Sequence, residues 1–247
     1  MPPPADAATN RAVLLFSKPP VAGRVKTRLI GPLSAEQAAR LHAAFLADLA
    51  ERLSAQRFAL VPVWALADGE ALPPQPPGGQ RQAGGDLGAR MRYTFEAFLL
   101  GGESGAKAGL AIAIGSDLPQ LAPERIEQAF AALAAGADVV LGPARDGGYY
   151  LIGLGVVALR AALFEGIAWS TSAVLEQTLE RCRAAGLAVA LLPEEEDIDT
   201  GEALARFLDR LATNQLAACP RTAALVATWQ IGHPPADGGR SERTCVS

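Results

Sequence analysis

The strongest constraint on the fold is a series of short runs that are apolar at every position: Ala12–Phe16, Phe58–Leu66, Leu110–Ile114, Val139–Leu141 and Leu187–Leu192. A strand with one wet face alternates apolar and polar residues, so an unbroken apolar run implies a strand covered on both faces. Segments with helical spacing separate these runs. Ser34 opens S-A-E-Q, a capping box, and Leu41, Phe45, Leu46, Leu49 and Leu53 continue one apolar face to about Ala55. Gly85-Asp86-Leu87-Gly88 opens a second helix capped by Asp86, with Leu87, Met91, Phe95 and Phe98 or Leu99 as its buried face. Pro123 begins a third at a tolerated first-turn position. Ser170-Thr171-Ser172 supplies caps for a helix through about Ala185, and Thr200 or Asp199 caps one from Gly201 to about Leu211. Alternation of this kind predicts an α/β fold, a mostly parallel sheet between two helical layers. Pro62 marks an irregularity or an edge in the second strand.

One domain over residues 11–212 accounts for these elements, after an expected disordered arm at 1–10. Residues 213–247 form an extension expected to be partly disordered, with a short helix near Thr222 to Trp229. Gly101 to Gly109 reads as a flexible patch. A formal net charge of −4 argues against a general nucleic-acid binder, which presents a domain-wide basic surface. Cys182, Cys219 and Cys245 are far apart and odd in number, which suggests neither a disulfide framework nor a thiolate zinc site. With no signal-like start and no apolar stretch of spanning length, the expectation is a cytoplasmic protein without a membrane partner.

Local charge is more informative. From Arg11 to Gly31 there are five basic residues and no acidic one. Pro19, Pro20 and Gly23 forbid regular structure there, so Lys18, Arg24, Lys26 and Arg28 ride on a loop after the first strand, where open α/β sheets bind ligands. Phosphate binding and a solvated basic loop are both open readings of that cluster. Several other chemistries fail. G-R-V-K-T lacks the glycine before lysine that a Walker A loop needs, and Gly153-Leu154-Gly155 lacks the third glycine of a dinucleotide fingerprint. The two histidines have no serine or cysteine partner nearby in sequence, and His42 reads as a packed or surface residue. Asp117, in S-D-L-P after the Leu110–Ile114 run, is either a turn aspartate or a ligand for Mg²⁺, a hard ion that takes one or two carboxylates plus substrate phosphates. Asp199, in D-I-D-T, is either the second carboxylate or a helix cap. Glu194, Glu195 and Glu196 read as a solvated acidic turn. Asp146-Gly147-Gly148-Tyr149-Tyr150 is either a plain turn or a place where an acceptor approaches the backbone closely.

Taken in order, F-S-K-P-P-V-A-G-R-V-K-T-R-L, G-D-L-G-A-R-M, G-S-D-L-P-Q-L, G-P-A-R-D-G-G-Y-Y-L-I-G-L, W-S-T-S-A-V-L and D-I-D-T-G-E-A-L resemble the rSAM/selenodomain-associated transferase 1 family, a branch of the GT-A-like nucleotide-diphospho-sugar transferases. The resemblance implies a three-layer α/β/α Rossmann-like GT-A fold and a site for a nucleotide. By that resemblance Lys18, Lys26 and Arg28 contact phosphates, with Gly23 and Ser116 on the same nucleotide side, and Gly85, Asp86 and Leu87 lie near base or ribose. Asp117 and Asp199 hold Mg²⁺ or Mn²⁺, and Asp146, Gly147, Gly148, Tyr149 and Trp169 border the acceptor. The expected activity is nucleotidyl transfer from a nucleoside triphosphate to a small phosphorylated acceptor, with Lys26, Arg28 and Asp117 as its catalytic groups. The alternatives are glycosyl transfer from a nucleotide sugar and a nucleotide-binding regulatory protein without catalysis. A homodimer is compatible with either.

Overall fold

The computed structural model describes residues 11–101, 109–213 and 219–229. The arm at 1–10, most of the Gly101–Gly109 patch, the tail beyond Trp229 and Cys245 lie outside the described residues. Seven strands form one sheet in the order β3-β2-β1-β4-β6-β5-β7. These are β1 (Arg11–Ser17), β2 (Ala59–Trp64), β3 (Gln80–Arg81), β4 (Leu110–Gly115), β5 (Val139–Pro143), β6 (Tyr149–Leu154) and β7 (Val189–Leu191). Pairing is parallel except at β6, which runs antiparallel to both β4 and β5. The exception has a local cause. β6 follows β5 through a tight turn at Arg145–Gly148, and a short hairpin can join only antiparallel neighbours. β3 pairs only with Val63 and Trp64, so β2 is still open on that side at Pro62, where proline is tolerated.

The helices cover both faces, as the apolar runs require. Along β1, Ala12 and Leu14 point into one core with Met91, Phe95 and Leu99 of α2 (Leu87–Leu100), together with Ala158 and Leu159 of α4 (Val156–Leu159) and Cys182 of α5 (Val174–Ala184). Val13 and Leu15 point into the other, with Leu46, Leu49 and Leu53 of α1 (Ala35–Ser54) and Ile126, Phe130 and Leu133 of α3 (Pro123–Ala134). Successive strand residues face opposite sides, so one run feeds both cores. A third cluster joins α1 to α6 (Gly201–Ala212), with Phe45 edge-on to Phe207 at 5.8 Å. Against α1 also lies α7 (Pro220–Ala227), fixed by the buried carboxylate of Asp48, which accepts hydrogen bonds from Arg221 N, Thr222 N and Thr222 Oγ1 at 2.7–2.9 Å.

Two local expectations need correction. Leu87, expected on the buried face of α2, is 40% exposed, because Asp86 takes the cap and Gly88 begins the packed face. Ser170–Ser172 does not cap α5: its N-cap is Ala173, without a side-chain bond, while Thr171 Oγ1 donates to Ala168 O and accepts from Ala173 N inside the preceding turn. The Ser34–Gln37 capping box is present as read. Among the described residues no helix is long and apolar enough to cross a membrane.

Candidate functional site

β1 pairs with β2 on one side and β4 on the other, so the chain reverses its direction of travel across the sheet between β1 and β4. Loops leaving such a switch point diverge and open a crevice at the carboxyl ends of the strands. Register pairing of Phe16 with Gly115 sets the two loops side by side, and Ser17 Oγ and Ser116 Oγ stand 3.2 Å apart. A cleft of about 330 Å³ lies there, lined among others by Ser17, Lys18, Arg24, Lys26, Arg28, His42, Leu87, Arg90, Ser116, Asp117 and Asp199.

Each wall is positioned by identifiable contacts. Arg52 of α1 donates to the carbonyls of Pro119 and Leu121, tying down the loop that carries Asp117. Asp199 arrives from far along the chain because residues after β7 run beside the end of β5: Glu195 N donates to Pro143 O and Arg145 N to Glu195 O. Ile198 N then donates to Asp117 O at 3.0 Å, joining the two acidic segments through their backbones. Thr200, not Asp199, caps α6, accepting from Ala203 N, which leaves the Asp199 carboxylate for the cleft. The acidic run before it is not simply solvated. Glu195 meets Arg125, Glu194 meets Arg145, and Glu196 bonds to Arg206 at 2.7 Å.

The centre of the site is Lys26. Its side chain is 2% exposed, and its Nζ lies 2.7 Å from Asp117 Oδ1, 2.9 Å from Asp199 Oδ1 and 2.6 Å from Ile198 O. The backbone reaches this position by adopting φ +49°, the left-handed region that a non-glycine residue rarely occupies. Leu29, packed with Leu41, Phe45 and Ile198, anchors the one-turn helix that follows. Burial alone would lower the Lys26 pKa, but Asp117 and Asp199 outweigh it and raise it. Burial likewise opposes the charge on Asp117, and the Lys26 ammonium overcomes it, holding that carboxyl below its ordinary range. Lys26 was expected among the phosphate contacts; here its ammonium is turned onto the carboxylates instead. Burial, reinforced by Asp117, Asp146 and Asp199, pushes Asp197 up to about 7.

Lys18 and Arg28 are exposed and form no ion pair among the described residues, whereas Arg24 makes a bidentate pair with Glu70 at 3.0 and 3.1 Å. Gly23 supplies a left-handed turn at φ +76° within the same loop. His42, read from the sequence as a packed or surface residue, is packed, but its place in the cleft was not foreseen. It is buried, with Nε2 3.0 Å from Ser17 Oγ and 3.1 Å from Lys18 O, so it braces the start of the basic loop from beneath. Burial lowers its pKa. The signal was weak because its partner Ser17 is twenty-five residues away. Arg90 and Gln82 were also missed. Gln82 bonds to the Val63 carbonyl, Arg90 to the Gly85 carbonyl, and both border the extension of the cleft along residues 65–67 and 82–84.

The expected acceptor residues divide. Asp146 is exposed and electrostatically felt by Asp197, but its Oδ1 also accepts from Gly148 N, so D-G-G is the hairpin turn between β5 and β6. Gly147 has φ +88°, and a Cβ there would lie 2.1 Å from Ser172 O. Tyr149 and Trp169 pack against the core beside α2 and α5, and Trp169 lies so close to Gly88 that a Cβ on that glycine would meet the indole at 2.8 Å. Gly85 and Asp86 end the approach to α2, and of that trio Leu87 alone lines the cleft.

The family described as "Uncharacterized protein conserved in bacteria (DUF2064)" matches residues 74–171. No curated protein matches the chain. Among solved structures, a Desulfovibrio desulfuricans G20 protein named "putative nucleotide-diphospho-sugar transferase" is 32% identical, with a TM-score of 0.77 over 88% of this chain and 94% of that one. A cytidylyltransferase from Leptospira borgpetersenii is 11% identical, with a TM-score of 0.51 over 88% of this chain and 92% of that one, a likeness of fold alone. The chain therefore belongs to the nucleotide-diphospho-sugar transferase-like family that includes the Desulfovibrio desulfuricans protein.

Proposed function

We propose that this protein is a divalent-metal-dependent transferase of nucleotide-activated substrates, and that it transfers a nucleoside monophosphate from a triphosphate to a small phosphorylated acceptor. The order of its six motifs further suggests the rSAM/selenodomain-associated transferase 1 branch. The observation that carries the reading is the cleft itself, which gathers Lys18, Arg24, Arg28 and Arg90 with a pair of carboxylates at the switch point. The cations suit phosphates, and the hard carboxylate oxygens suit Mg²⁺. The donor set fits such an ion: Asp117 and Asp199 expose 36% and 40% of their side chains, and together they carry one more negative charge than Lys26 neutralises. When bound, the metal supplies charge neutralisation at the phosphates.

The chain's own part is positioning and electrostatics, which dominate phosphoryl transfer. Arg28 and Lys18 hold the triphosphate, and the extension beside Gln82 and Arg90 receives its nucleoside end. An acceptor phosphate oxygen forms a bond to the α-phosphorus as the bond to the bridging oxygen breaks and pyrophosphate leaves. Arg28 and Arg24 stabilise the charge that develops on the departing group. Asp146 borders the acceptor side.

A second reading, glycosyl transfer from a nucleotide sugar, draws support from the name of the Desulfovibrio relative. Incubation with labelled nucleoside triphosphates and nucleotide sugars, with and without Mg²⁺, separates the two. Pyrophosphate release that Asp117→Asn abolishes supports nucleotidyl transfer, release of a free nucleoside diphosphate favours glycosyl transfer, and metal-independent turnover rules out both.

A further inference from the structure

Lys26 is a peculiar neighbour for two metal-binding carboxylates. Its ammonium contacts Asp117, Asp199 and the Ile198 carbonyl, three hard oxygens at 2.6–2.9 Å, which is the donor chemistry a divalent cation seeks. An ammonium and a metal ion drawing on the same two carboxylate oxygens repel each other at close range, where the local dielectric is low. We propose that Lys26 and the divalent cation are alternative occupants of the Asp117–Asp199 pair, so that metal entry displaces the ammonium into the phosphate side of the cleft.

The loop is built for that exchange. Lys26 hangs on a backbone at φ +49°, three residues from Gly23 at φ +76°, and no regular element precedes it back to Ser17. Its neighbours Thr27 and Arg28 are exposed and line the cleft, so a short swing of a four-carbon stem carries the ammonium off the carboxylates and into the cleft. Without metal, Lys26 keeps two facing carboxylates neutralised and the site intact. With metal, those carboxylates have a new partner and the released lysine needs an anion, which a substrate phosphate provides. Metal and phosphate binding then reinforce each other, by the reciprocity that governs any two coupled ligands. Lys26 would be a phosphate contact only in the loaded site, which reconciles the sequence expectation with the observed pairing.

This inference rests on the reading of Asp117 and Asp199 as metal carboxylates, and the test separates the two. Mn²⁺ binding, followed by electron paramagnetic resonance without nucleotide, should be roughly tenfold or more tighter in Lys26→Met than in the unaltered protein, because a competing charge has gone. Equal affinity in both proteins, lost in Asp117→Asn, would overturn the exchange and leave the metal site standing. Absence of Mn²⁺ binding from both proteins, or binding indifferent to Asp117→Asn, would remove the metal site as well. A second measurement needs no variant at Lys26. Amine labelling of the unaltered protein, read by mass spectrometry, should modify Lys26 slowly, then faster at Mn²⁺ concentrations that fill the site. Labelling that stays slow in the filled site means that the ammonium has not moved and refutes the proposal.

Discussion

Gly147→Ala is a sharp test of how the sequence motifs are joined beneath the site. Two costs can be worked from the structure. The residue sits at φ +88°, so any side chain strains the backbone by roughly 1–2 kcal/mol. The added methyl would lie 2.1 Å from Ser172 O, well inside contact distance, and the Ser172 backbone cannot rotate away as a side-chain tip could. The turn must separate from the 170–175 segment, weakening the Leu175 N to Gly147 O hydrogen bond of 2.9 Å by about 0.5–1.5 kcal/mol, with overpacking adding about 1–3. The sum is about 2.5–6.5 kcal/mol, a large share of the ~5–15 that stabilise a typical protein. At about 2–4 °C per kcal/mol, the melting temperature should fall by roughly 5–26 °C. Gly136→Ala is the control: φ is +105° there and nothing lies within 4 Å of the new Cβ, so only the backbone cost of about 1–2 kcal/mol applies. Thermal denaturation of both variants decides the matter. Equal losses in the two would refute the contact between D-G-G-Y and W-S-T-S.

Other expectations follow from the same geometry. Arg28→Ala should weaken nucleoside triphosphate binding by about 1–3 kcal/mol, whereas Arg24→Ala should cost less because Glu70 already engages that guanidinium; calorimetry giving the reverse order would contradict the assignment of Arg28. His42 holds fewer protons folded than unfolded, so stability should decline as pH falls below about 6.5 towards its lower folded pKa, and urea titrations at several pH values should show a shallower acid decline in His42→Gln. An identical pH slope in both proteins would show that the buried imidazole is not responsible. Asp48→Ala leaves Arg221 N, Thr222 N and Thr222 Oγ1 without their acceptor and should release α7, seen as faster proteolysis within residues 219–229 while the sheet core stays protected. Unchanged cleavage there would mean that apolar contacts alone hold the helix.

Much of the architecture follows from residues acting locally. Apolar runs such as Ala12–Phe16 read as strands covered on both sides, and the Ser34–Gln37 box marks where α1 begins, because caps and periodicity are properties of a few adjacent residues. The basic loop and the S-D-L-P and D-I-D segments were legible as charged groups at strand ends. Their roles were not. Whether Asp199 capped a helix or faced a ligand depended on Thr200 taking the cap and on the backbone bond from Ile198 to Asp117, a partner 81 residues away. That Lys26 would turn onto carboxylates, and that His42 would sit beneath the basic loop, depended on strand order and on which side chains meet across the sheet's carboxyl edge. Local sequence determined the strands, the helices and the chemistry available to the cleft. Tertiary structure decided which charges met there, because the energy of a buried charge is set by the partners that long-range packing brings within about 3 Å.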